Sequence, residues 1–524
     1  MVKSFSTTNS CMYIDLVLYA CLSMLCLNIL DLVPCCVGNL HSRFKYFETL
    51  KPHHIRVRHK RAALGVNRNS FTATFYAFQR RFTMMLTRGI GVLHPEVNAE
   101  LIDSTGKTTP YTILKGNFYS GTIEGDATQE VDASELDGVW MAHIHTPGEF
   151  YAVEPLRLYD NRAHHRTMIV YRERDIKTGN ETQQAPFCQE VFFDKQSKIF
   201  TNNFNSGNTP ARKDWAILGR KIKNTHRFTE SKHTPPVNEQ LENDHFKSRF
   251  RYKRKSSKSK NFSKQAQNCD ILAVVSYTLY KGIGEKNPSI IVQTLVHVYK
   301  LVNRIFRQTD FGRHVKSGYG ILLRGIRIYT NYTASQDHFN SAGMDSDLSS
   351  ILAAMTNDIT FAHYCVAHTT VQYVSDGTLG LAATATFIGR QWYNGICASV
   401  KSASSRNVGV SNVQESNGEI LLMTSYAHVL AHEIGHNWGA RHDSDEDPSG
   451  TRGCIPPTSQ GGKYLMWPKT RHDKGVNSNK FSPCSKSAMR RILYVSFHGM
   501  IFHNHHHAMH HHLNDHNHDL YYNH

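Results

Sequence analysis

The sequence predicts an α/β protein in which a mainly β region precedes a mixed sheet covered by helices. Between residues 39 and 210, short apolar stretches such as "GVWMAHIH" are broken by Gly, Asp and Thr, as expected of short strands joined by turns. From residue 264 to 495, near-continuous apolar stretches alternate with segments of helical periodicity, which indicates a sheet covered by helices. The stretch between them, residues 211–263, is polar and basic and contains Pro235 and Pro236, which predicts a linker.

The α/β region can be divided into elements in chain order. Asn287 and Pro288 predict a helix start, because a capping residue and a proline precede apolar residues that recur at helical spacing from Ile291 to Ile305. The segment "DLSSILAAMTNDI", residues 347–359, predicts a second helix. Strands are predicted for "CDILAVVSY" (269–277), "YGILLRGIRIY" (319–329), "YCVAHTTV" (364–371) and "GTLGLAATATF" (377–387).

The N-terminus has the features of a secretory signal. Lys3 precedes the apolar stretch "LVLYACLSMLCLNIL", residues 16–30, and Pro34 and small residues follow it up to Gly38. Asp15 and Asn28 interrupt the apolar run, which is too short to span a bilayer comfortably. We therefore expect residues 1–38 to be a signal peptide, and the protein to be secreted or displayed at the cell surface.

Cysteine usage agrees with an oxidising compartment. Five cysteines fall in the expected signal or at its end, and six remain for the rest of the chain. Acceptor triplets for N-glycosylation occur at Asn180, Asn261 and Asn331, and they are compatible with the secretory route. The six remaining cysteines are Cys188, Cys269, Cys365, Cys397, Cys454 and Cys484.

The positive charge is concentrated in the linker. The chain has 60 Lys and Arg against 43 Asp and Glu, a formal net charge of +17. Residues 247–264 carry nine basic residues and no acidic one, and such a run usually stays solvated. Nucleic-acid binding is the alternative that this charge raises. We expect no nucleic-acid partner, because the usual recognition motifs are missing from the sequence.

The segment "AHEIGHNWGARHD", residues 431–443, contains three histidines and a glutamate at fixed intervals. Coincidence is the alternative, because the chain has 33 histidines. Apolar residues from Leu422 onward predict a helix that ends at Gly439. His432 and His436 are four residues apart and share one helical face, and Gly439 lets the backbone turn so that His442 returns to the same point. Gly439 and His442 at the required offsets make coincidence improbable.

Three converging imidazoles predict a catalytic zinc site. They leave a tetrahedral zinc ion one open position for water, as a catalytic site requires. Glu433 follows the first histidine, so its carboxylate lies beside the metal and can take a proton from that water. The parts together predict hydrolysis of peptide bonds.

The pattern HExxHxxGxxHD, with Met466 downstream in "GGKYLMWP", resembles the metzincin clan of zinc proteases, and Asp443 after the third histidine resembles its ADAM branch. Further stretches are similar to the kuzbanian and tumour-necrosis-factor-converting-enzyme subgroup, and the resemblance runs from about residue 80 to about 490. It implies a metzincin-type zinc protease domain at residues 264–495, with an active-site helix and with Met466 in the methionine turn beneath the metal. Those stretches are "FYAVEP", "YCVAH", "DGTLGLA", "GGKYLM" and "NSNKFSPCS".

The resemblance also implies a zymogen, with residues 39–210 as its prodomain. Cys188 in "APFCQEV" occupies the place of the switch cysteine, whose thiolate can take the open position on zinc; a buried prodomain thiol is the alternative. "RYKR", with Arg251, Lys253 and Arg254, matches a site for a furin-type convertase, and a solvated charge cluster is the bland alternative.

Other family features fall on residues of this chain. "GTLG", with Gly377, Thr378, Leu379 and Gly380, resembles the edge strand to which a substrate backbone adds. The resemblance implies disulfides between Cys269 and Cys365 and between Cys454 and Cys484. It leaves Cys397 without its usual partner. Trp438 and Trp467 replace other aromatic residues of the family pattern, and we expect both to line the subsites.

The C-terminal segment, residues 496–524, is rich in histidine and departs from the family pattern. It is interpreted either as a metal-binding extension or as the end of a truncated or frameshifted gene product, and the unpaired Cys397 favours the second interpretation.

The sequence therefore predicts a zinc metalloendopeptidase made as a zymogen. By resemblance, its substrates are extracellular or membrane-tethered proteins, with Notch-like receptors and cytokine precursors as examples. An inactive zinc-loaded adhesion module is the alternative, and the intact Glu433 argues against it. A basic nucleic-acid binder is a third class, whose affinity would fall steeply with salt.

Overall fold

The computed structural model describes residues 40–59, 70–89, 91–177, 187–193, 199–201, 268–312, 315, 317–344, 347–373, 377–388, 391–396, 398, 404–469 and 475–494. These residues fall in one compact unit formed by Met1–Thr201 and Gln267–His524. The other unit, Asn202–Ala266, lies outside the described residues. The expected signal peptide, the "RYKR" motif, Cys397 and the segment 496–524 lie outside them as well.

A first sheet of nine antiparallel strands forms the N-terminal region. Strand β3 (Ser70–Ala77) alternates in burial along its length: Phe71, Ala73 and Phe75 are buried while Tyr76 is exposed. Phe75 stacks on Phe82 of the next strand at a ring-centroid distance of 5.0 Å. The order across the sheet is β1-β11-β10-β9-β8-β7-β4-β3-β2. The strands are β1 (Glu48–Leu50), β2 (Arg56–His59), β3 (Ser70–Ala77), β4 (Arg80–Arg88), β7 (Phe118–Ile123), β8 (Asp126–Leu136), β9 (Val139–Thr146), β10 (Glu149–Pro155) and β11 (Met168–Arg172).

A second sheet has the order β13-β12-β17-β20-β16-β14-β15-β5-β6. Its centre is parallel, and its central strands Val366–Val371 and Val408–Asn412 are buried along their whole length because both faces are covered. Strand β17 is antiparallel to β20. The strands are β5 (Leu93–Ile102), β6 (Thr108–Tyr111), β12 (Cys188–Phe193), β13 (Ile199–Thr201), β14 (Asn268–Val275), β15 (Gly320–Tyr329), β16 (Val366–Val371), β17 (Gly380–Ala383) and β20 (Val408–Asn412). Strands β18 (Thr386–Ile388) and β19 (Gln391–Asn394) form a separate hairpin.

The helices begin at capping residues where the sequence offers them. The Asn287 side chain accepts a hydrogen bond from Ser289 N at the start of α3, and the Asp347 side chain caps α4 in the same way. The helices are α1 (Leu40–Arg43), α2 (Tyr277–Lys281), α3 (Pro288–Gln308), α4 (Leu348–Met355), α5 (Met423–Asn437) and α6 (Asp443–Glu446), and residues 483–494 are also helical. Short 3-10 turns cover Pro52–His54, Lys115–Asn117, Leu156–Leu158, Glu173–Asp175, Ile359–His363 and Thr458–Gln460.

The predicted fold class is confirmed: a mainly β region precedes an α/β region with a mixed sheet. The N-terminal region also contributes strands to both edges of the second sheet. Strand β5 pairs in parallel with β15, and β12 pairs in parallel with β17. Among the residues described above, no helix is both long and apolar enough to cross a bilayer.

Candidate metal centre

Helix α5 carries the first two histidines. His432 and His436 lie one turn apart on the buried face of the helix, and their Nε2 atoms are 3.1 Å apart. His432 Nδ1 lies 2.9 Å from the carbonyl oxygen of Leu465, and His436 Nδ1 lies 2.8 Å from that of Ala440. When Nδ1–H of each ring donates to its carbonyl, Nε2 carries no proton. The Nε2 lone pairs of both rings are then directed at the same point, where they can bind a metal ion.

The third histidine arrives through a glycine turn. Helix α5 ends at Asn437, two residues before the predicted end, and Gly439 adopts φ +95°. A Cβ at Gly439 would lie 2.4 Å from Ile492 Cγ1, so the close approach of the C-terminal helix also requires glycine. The chain then returns His442 to the site, where its ring centroid lies 5.3 Å from that of His432 and 4.8 Å from that of His436.

Cys188 completes the cluster. Its Sγ lies 3.4 Å from His436 Nε2, and the thiol is buried. Ligand atoms of Cys188, His432, His436 and His442 all lie within 4.8 Å of one another. The preceding residue, Phe187, is held by its backbone: its N donates to Pro468 O at 2.9 Å, and its carbonyl accepts from Leu379 N at 2.7 Å.

The four side chains fit a zinc ion. Three imidazoles and one thiolate are a donor set that zinc binds in tetrahedral geometry. Burial lowers the pKa of all three histidines, which keeps the rings neutral and able to bind a metal. With Cys188 in place the set is closed, and without it one position is open to water. The structure therefore brings together the predicted ligands and the predicted switch cysteine.

Glu433 lies beside the cluster and is fully buried. Burial raises the pKa of Glu433 well above its ordinary value, and the neighbouring Cys188 thiol opposes that shift. Apart from that thiol, neither carboxylate oxygen has a hydrogen-bond partner among the described residues. A Cβ added to Gly380 would lie 2.3 Å from Glu433 Oε1, so the edge strand packs directly against the carboxylate. A buried carboxylate with a raised pKa is suited to take up a proton near neutral pH.

Met466 lies under helix α5, as the resemblance implies. A Cβ added to Gly435 would lie 2.7 Å from Met466 Sδ, so this glycine lets the helix rest on the thioether. The carbonyl of Met466 accepts from Asp443 N at 3.1 Å. Asp443 in turn accepts hydrogen bonds from the hydroxyls of Ser482 and Ser485 at 2.5 and 2.9 Å. The sequence marked Asp443 only as a family feature, and this supporting contact was not predicted.

The proposed substrate edge is covered by the N-terminal region. Of the residues predicted to form that edge, Gly380 begins strand β17, while Gly377, Thr378 and Leu379 precede it. Strand β12 runs parallel to β17 with Cys188 opposite Gly380 and Val191 opposite Ala383. The same polypeptide segment therefore supplies the thiol and covers the edge strand.

Two disulfides connect the pairs that the resemblance implied. Cys269 is bonded to Cys365, which ties β14 to the start of β16. Cys454 is bonded to Cys484, which ties the loop after α6 to the C-terminal helix.

The expectation that Trp438 lines a subsite is wrong. Its side chain is 0% exposed and packs on Phe306 and Phe311 in the core below the site.

Comparisons with known proteins identify a family and several relatives to which this chain is similar. Residues 289–494 match the reprolysin-like metallo-peptidase family M12B. Disintegrin and metalloproteinase domain-containing protein 10 of Homo sapiens is 25% identical over 460 residues, which are 83% of this chain and 54% of that protein. The homolog of protein 17 from Caenorhabditis elegans is 26% identical over 253 residues, 43% of this chain and 36% of that protein. Metalloproteinase-II from Bacteroides fragilis is 11% identical and covers 87% of this chain and 94% of its own, with a TM-score of 0.32.

These similarities confirm the resemblance to the ADAM metalloproteases of the kuzbanian and tumour-necrosis-factor-converting-enzyme subgroup. The match to the metallopeptidase family covers residues 289–494, which contain the three histidines of the cluster that could hold a metal ion. The chain spans about half the length of the protein 10 relatives that it matches.

Proposed function

We propose that this chain, which carries a reprolysin-like metallopeptidase domain, is a zinc-dependent metalloendopeptidase made as a zymogen. The observation that carries the proposal is the convergence of His432, His436 and His442 with Glu433 beside them and Cys188 over them. The three histidines hold the metal, and Met466 supports the site from below.

The residues of the chain divide the chemistry between them. A bound zinc ion supplies a Lewis acid that lowers the pKa of the attacking water and polarises the peptide carbonyl. Glu433 takes a proton from that water on a carboxylate oxygen and delivers it to the leaving amine nitrogen. The edge strand from Gly380 to Ala383 hydrogen-bonds the extended substrate backbone once β12 has left it.

The same contacts support a zymogen in which residues 39–210 act as prodomain. Cys188 lies among the predicted ligands and β12 covers the edge strand, so neither water nor substrate has access to the site. A furin-type convertase recognises Arg251, Lys253 and Arg254 and cuts the chain after Arg254. The cut breaks the covalent connection between this region and residues 264–495. The cut makes release of the N-terminal region possible, and its departure opens the fourth ligand position.

We place the protein in the secretory pathway, secreted or at the cell surface. The disulfides Cys269–Cys365 and Cys454–Cys484 and the expected signal at residues 1–38 support this placement. Its substrates are extracellular or membrane-tethered proteins that are shed by cleavage near the membrane. Notch-like receptors and cytokine precursors are examples. The similarity to disintegrin and metalloproteinase proteins supports this choice of substrate class.

The test is hydrolysis of a quenched-fluorescence peptide by the purified chain before and after treatment with furin. We expect activity after the cut, loss of activity with a zinc chelator and recovery when zinc is restored. Replacement Glu433→Gln should lower kcat/KM by about 10²-fold to 10⁴-fold, the usual contribution of a general base, with the zinc content unchanged. A cut protein that holds zinc and hydrolyses no peptide would leave the binding-only alternative standing.

A further inference from the structure

Helix α3 presents a polar stripe to the N-terminal sheet. His297, Lys300 and Arg304 follow one another at spacings of three and four residues and therefore share one face of the helix. Lys300 Nζ donates to Tyr119 O at 2.9 Å and lies 3.4 Å from Asp132 Oδ1 on β8. The surface between the two regions is therefore held by charges and hydrogen bonds as well as by apolar packing.

Two histidines face each other at the centre of this surface. His143 on β9 and His297 on α3 are 0% and 1% exposed, and their Nε2 atoms are 3.0 Å apart. Among the described residues, the Nδ1 atom of neither ring has a hydrogen-bond partner. One Nε2 must carry a hydrogen and donate it, and the other must accept with its lone pair. Only one of the two facing nitrogens can therefore be protonated while this hydrogen bond exists.

A buried carboxyl group completes the cluster. Glu154 on β10 is 0% exposed, and its Oε1 lies 3.5 Å from His143 Nε2 and accepts from the Tyr171 hydroxyl at 2.8 Å. The Tyr159 hydroxyl donates to the other oxygen of Glu154 and accepts from Met423 N, the first residue of the zinc-binding helix α5, at 3.2 Å. Leu422, the N-cap residue of α5, offers no side-chain cap of its own. The cluster therefore connects the N-terminal sheet to helix α3 through His297 and to helix α5 through Met423.

His145 lies two residues beyond His143 on β9, where its ring packs on Phe150 at a centroid distance of 5.0 Å and its buried Nε2 has no hydrogen-bond partner among the described residues. We propose that His143, His297, His145 and Glu154 form a proton sensor in the surface that docks the N-terminal region, and that acidification loosens this docking. The occupant of the surface is the N-terminal region itself, residues 40–177. The inference rests on the proposed zymogen, because the two regions can separate only after the linker has been cut.

The proton count gives the direction of the effect. Burial lowers the pKa of His143 and His297 well below the ordinary value, burial and the charge of Arg304 lower the pKa of His145 to about 4, and burial raises the pKa of Glu154. Near pH 6 the imidazoles of the docked cluster are therefore neutral, and the cluster holds at most one proton, on the Glu154 carboxyl group.

Separation returns these groups to water. Three exposed histidines with an ordinary pKa of about 6.5 hold roughly two protons at pH 6, and an exposed glutamate holds almost none. Near pH 6 the separated state then binds at least about one proton more than the docked state. Docking is therefore strongest above about pH 6.5 and weakens as the pH falls towards the lowered histidine pKa values, by about tenfold in affinity for each pH unit.

The other charged groups at this surface do not reverse the sign. Burial opposes ionisation of Asp132, but Lys300 and Arg304 hold its pKa at about 2, so it stays ionised throughout the range from pH 5.5 to 7.5. Arg304 also pairs with Glu130 on β8. The Tyr159 and Tyr171 hydroxyls have a raised pKa because they are buried beside Glu154, and they stay protonated.

The test measures how fast the N-terminal fragment leaves a nicked complex. The full chain is made with Cys188→Ala, so that titration of the thiol plays no part, and is cut by furin while loaded with zinc. The complex is immobilised through the metallopeptidase fragment, and loss of the N-terminal fragment is followed by surface plasmon resonance from pH 7.5 to 5.5. We expect loss at least about tenfold faster at pH 5.5 than at pH 7.5.

Matched variants identify the groups responsible. His143→Gln with His297→Gln keeps neutral hydrogen-bonding side chains and should reduce the change to less than about threefold. His164→Gln with His165→Gln replaces two exposed histidines of the same region and should leave the tenfold change intact. If the buried double variant fails to fold, the single variant His145→Gln serves in its place and should lower the change measurably.

The outcomes are separable from those of the proposed function. Cleavage is scored on a gel before the pH series, so a linker that furin does not cut counts against the proposed processing alone. In that case the complex is nicked at a protease site inserted within residues 211–263. Equal rates of loss at pH 5.5 and 7.5, or an unchanged pH dependence in the histidine variants, would overturn the proton sensor.

Discussion

Glu433 and Gly380 are in contact across the site, and this contact sets the position of the proposed catalytic base. The carboxylate approaches the backbone of the edge strand so closely that a methyl group at residue 380 would lie 2.3 Å from Glu433 Oε1. Substrate and base are thereby brought to the same strand. Residue 380 must be glycine because the Glu433 side chain leaves no space for a Cβ. The backbone conformation does not require glycine there, because Gly380 has no positive φ.

Replacement Gly380→Ala should therefore displace the base without removing the metal. We expect kcat/KM of the furin-cut protein to fall about 10²-fold, the usual cost of moving a catalytic group by about 1 Å, with the zinc content unchanged. Gly343→Ala is the control, because a Cβ there meets nothing within 4 Å. Equal kcat/KM for Gly380→Ala and the unmodified protein would show that the base does not depend on this contact.

At the scale of single residues, the sequence predicted the groups whose spacing is local. His432, His436 and His442 lie within eleven residues, so a helix and a glycine turn suffice to bring them together. Trp438 was misjudged because it lies within the motif, between His436 and His442, whereas the end of helix α5 turns its side chain into the core. The Glu433–Gly380 contact joins residues 53 positions apart and has no local signal.

At the scale of elements, strand β12 combines two tasks. It delivers Cys188 to the histidines, and it occupies the edge of β17 from Gly380 to Ala383. Phe187 strengthens the attachment, because its ring lies 4.9 Å from that of His432 in an edge-on arrangement. The proposed inhibition by the N-terminal region therefore has a metal-binding part and a steric part.

Replacement Cys188→Ala should separate these two parts. In the uncut chain, loss of the thiol opens the fourth ligand position, and we expect peptidase activity to rise about tenfold or more. It should stay well below the activity of the furin-cut protein, because β12 still covers the edge strand. The measurement is kcat/KM of both forms on the same quenched peptide. No rise in the uncut variant would assign inhibition to steric cover alone.

Elements with strong local patterns were predicted well. Helix α3 was predicted from Asn287, Pro288 and the apolar spacing that follows, and it begins at Pro288. The strand predicted at 269–277 is observed as Asn268–Val275, and the difference arises because Ser276 caps the short helix α2. The early end of α5 at Asn437 reflects a terminal turn that closes before Gly439.

At the scale of the whole molecule, the N-terminal region and the metallopeptidase region share a sheet. Strand β5 extends the second sheet beyond β15, with Leu93 opposite Leu323 and Arg327 opposite Glu100. Pairings across more than 200 residues leave no periodicity in the sequence, so the shared sheet could not be predicted from it. The two regions are more closely joined than a linker between domains suggests.

In the proposed zymogen, one zinc ion is bound by three imidazoles and the Cys188 thiolate. X-ray absorption spectroscopy at the zinc edge of the purified, uncut chain tests this most directly. We predict one zinc ion per chain with three nitrogen ligands at about 2.0 Å and one sulfur ligand at about 2.3 Å, and replacement of that sulfur by oxygen in Cys188→Ala. A folded chain without stoichiometric zinc, or zinc without a sulfur ligand in the uncut protein, would contradict it.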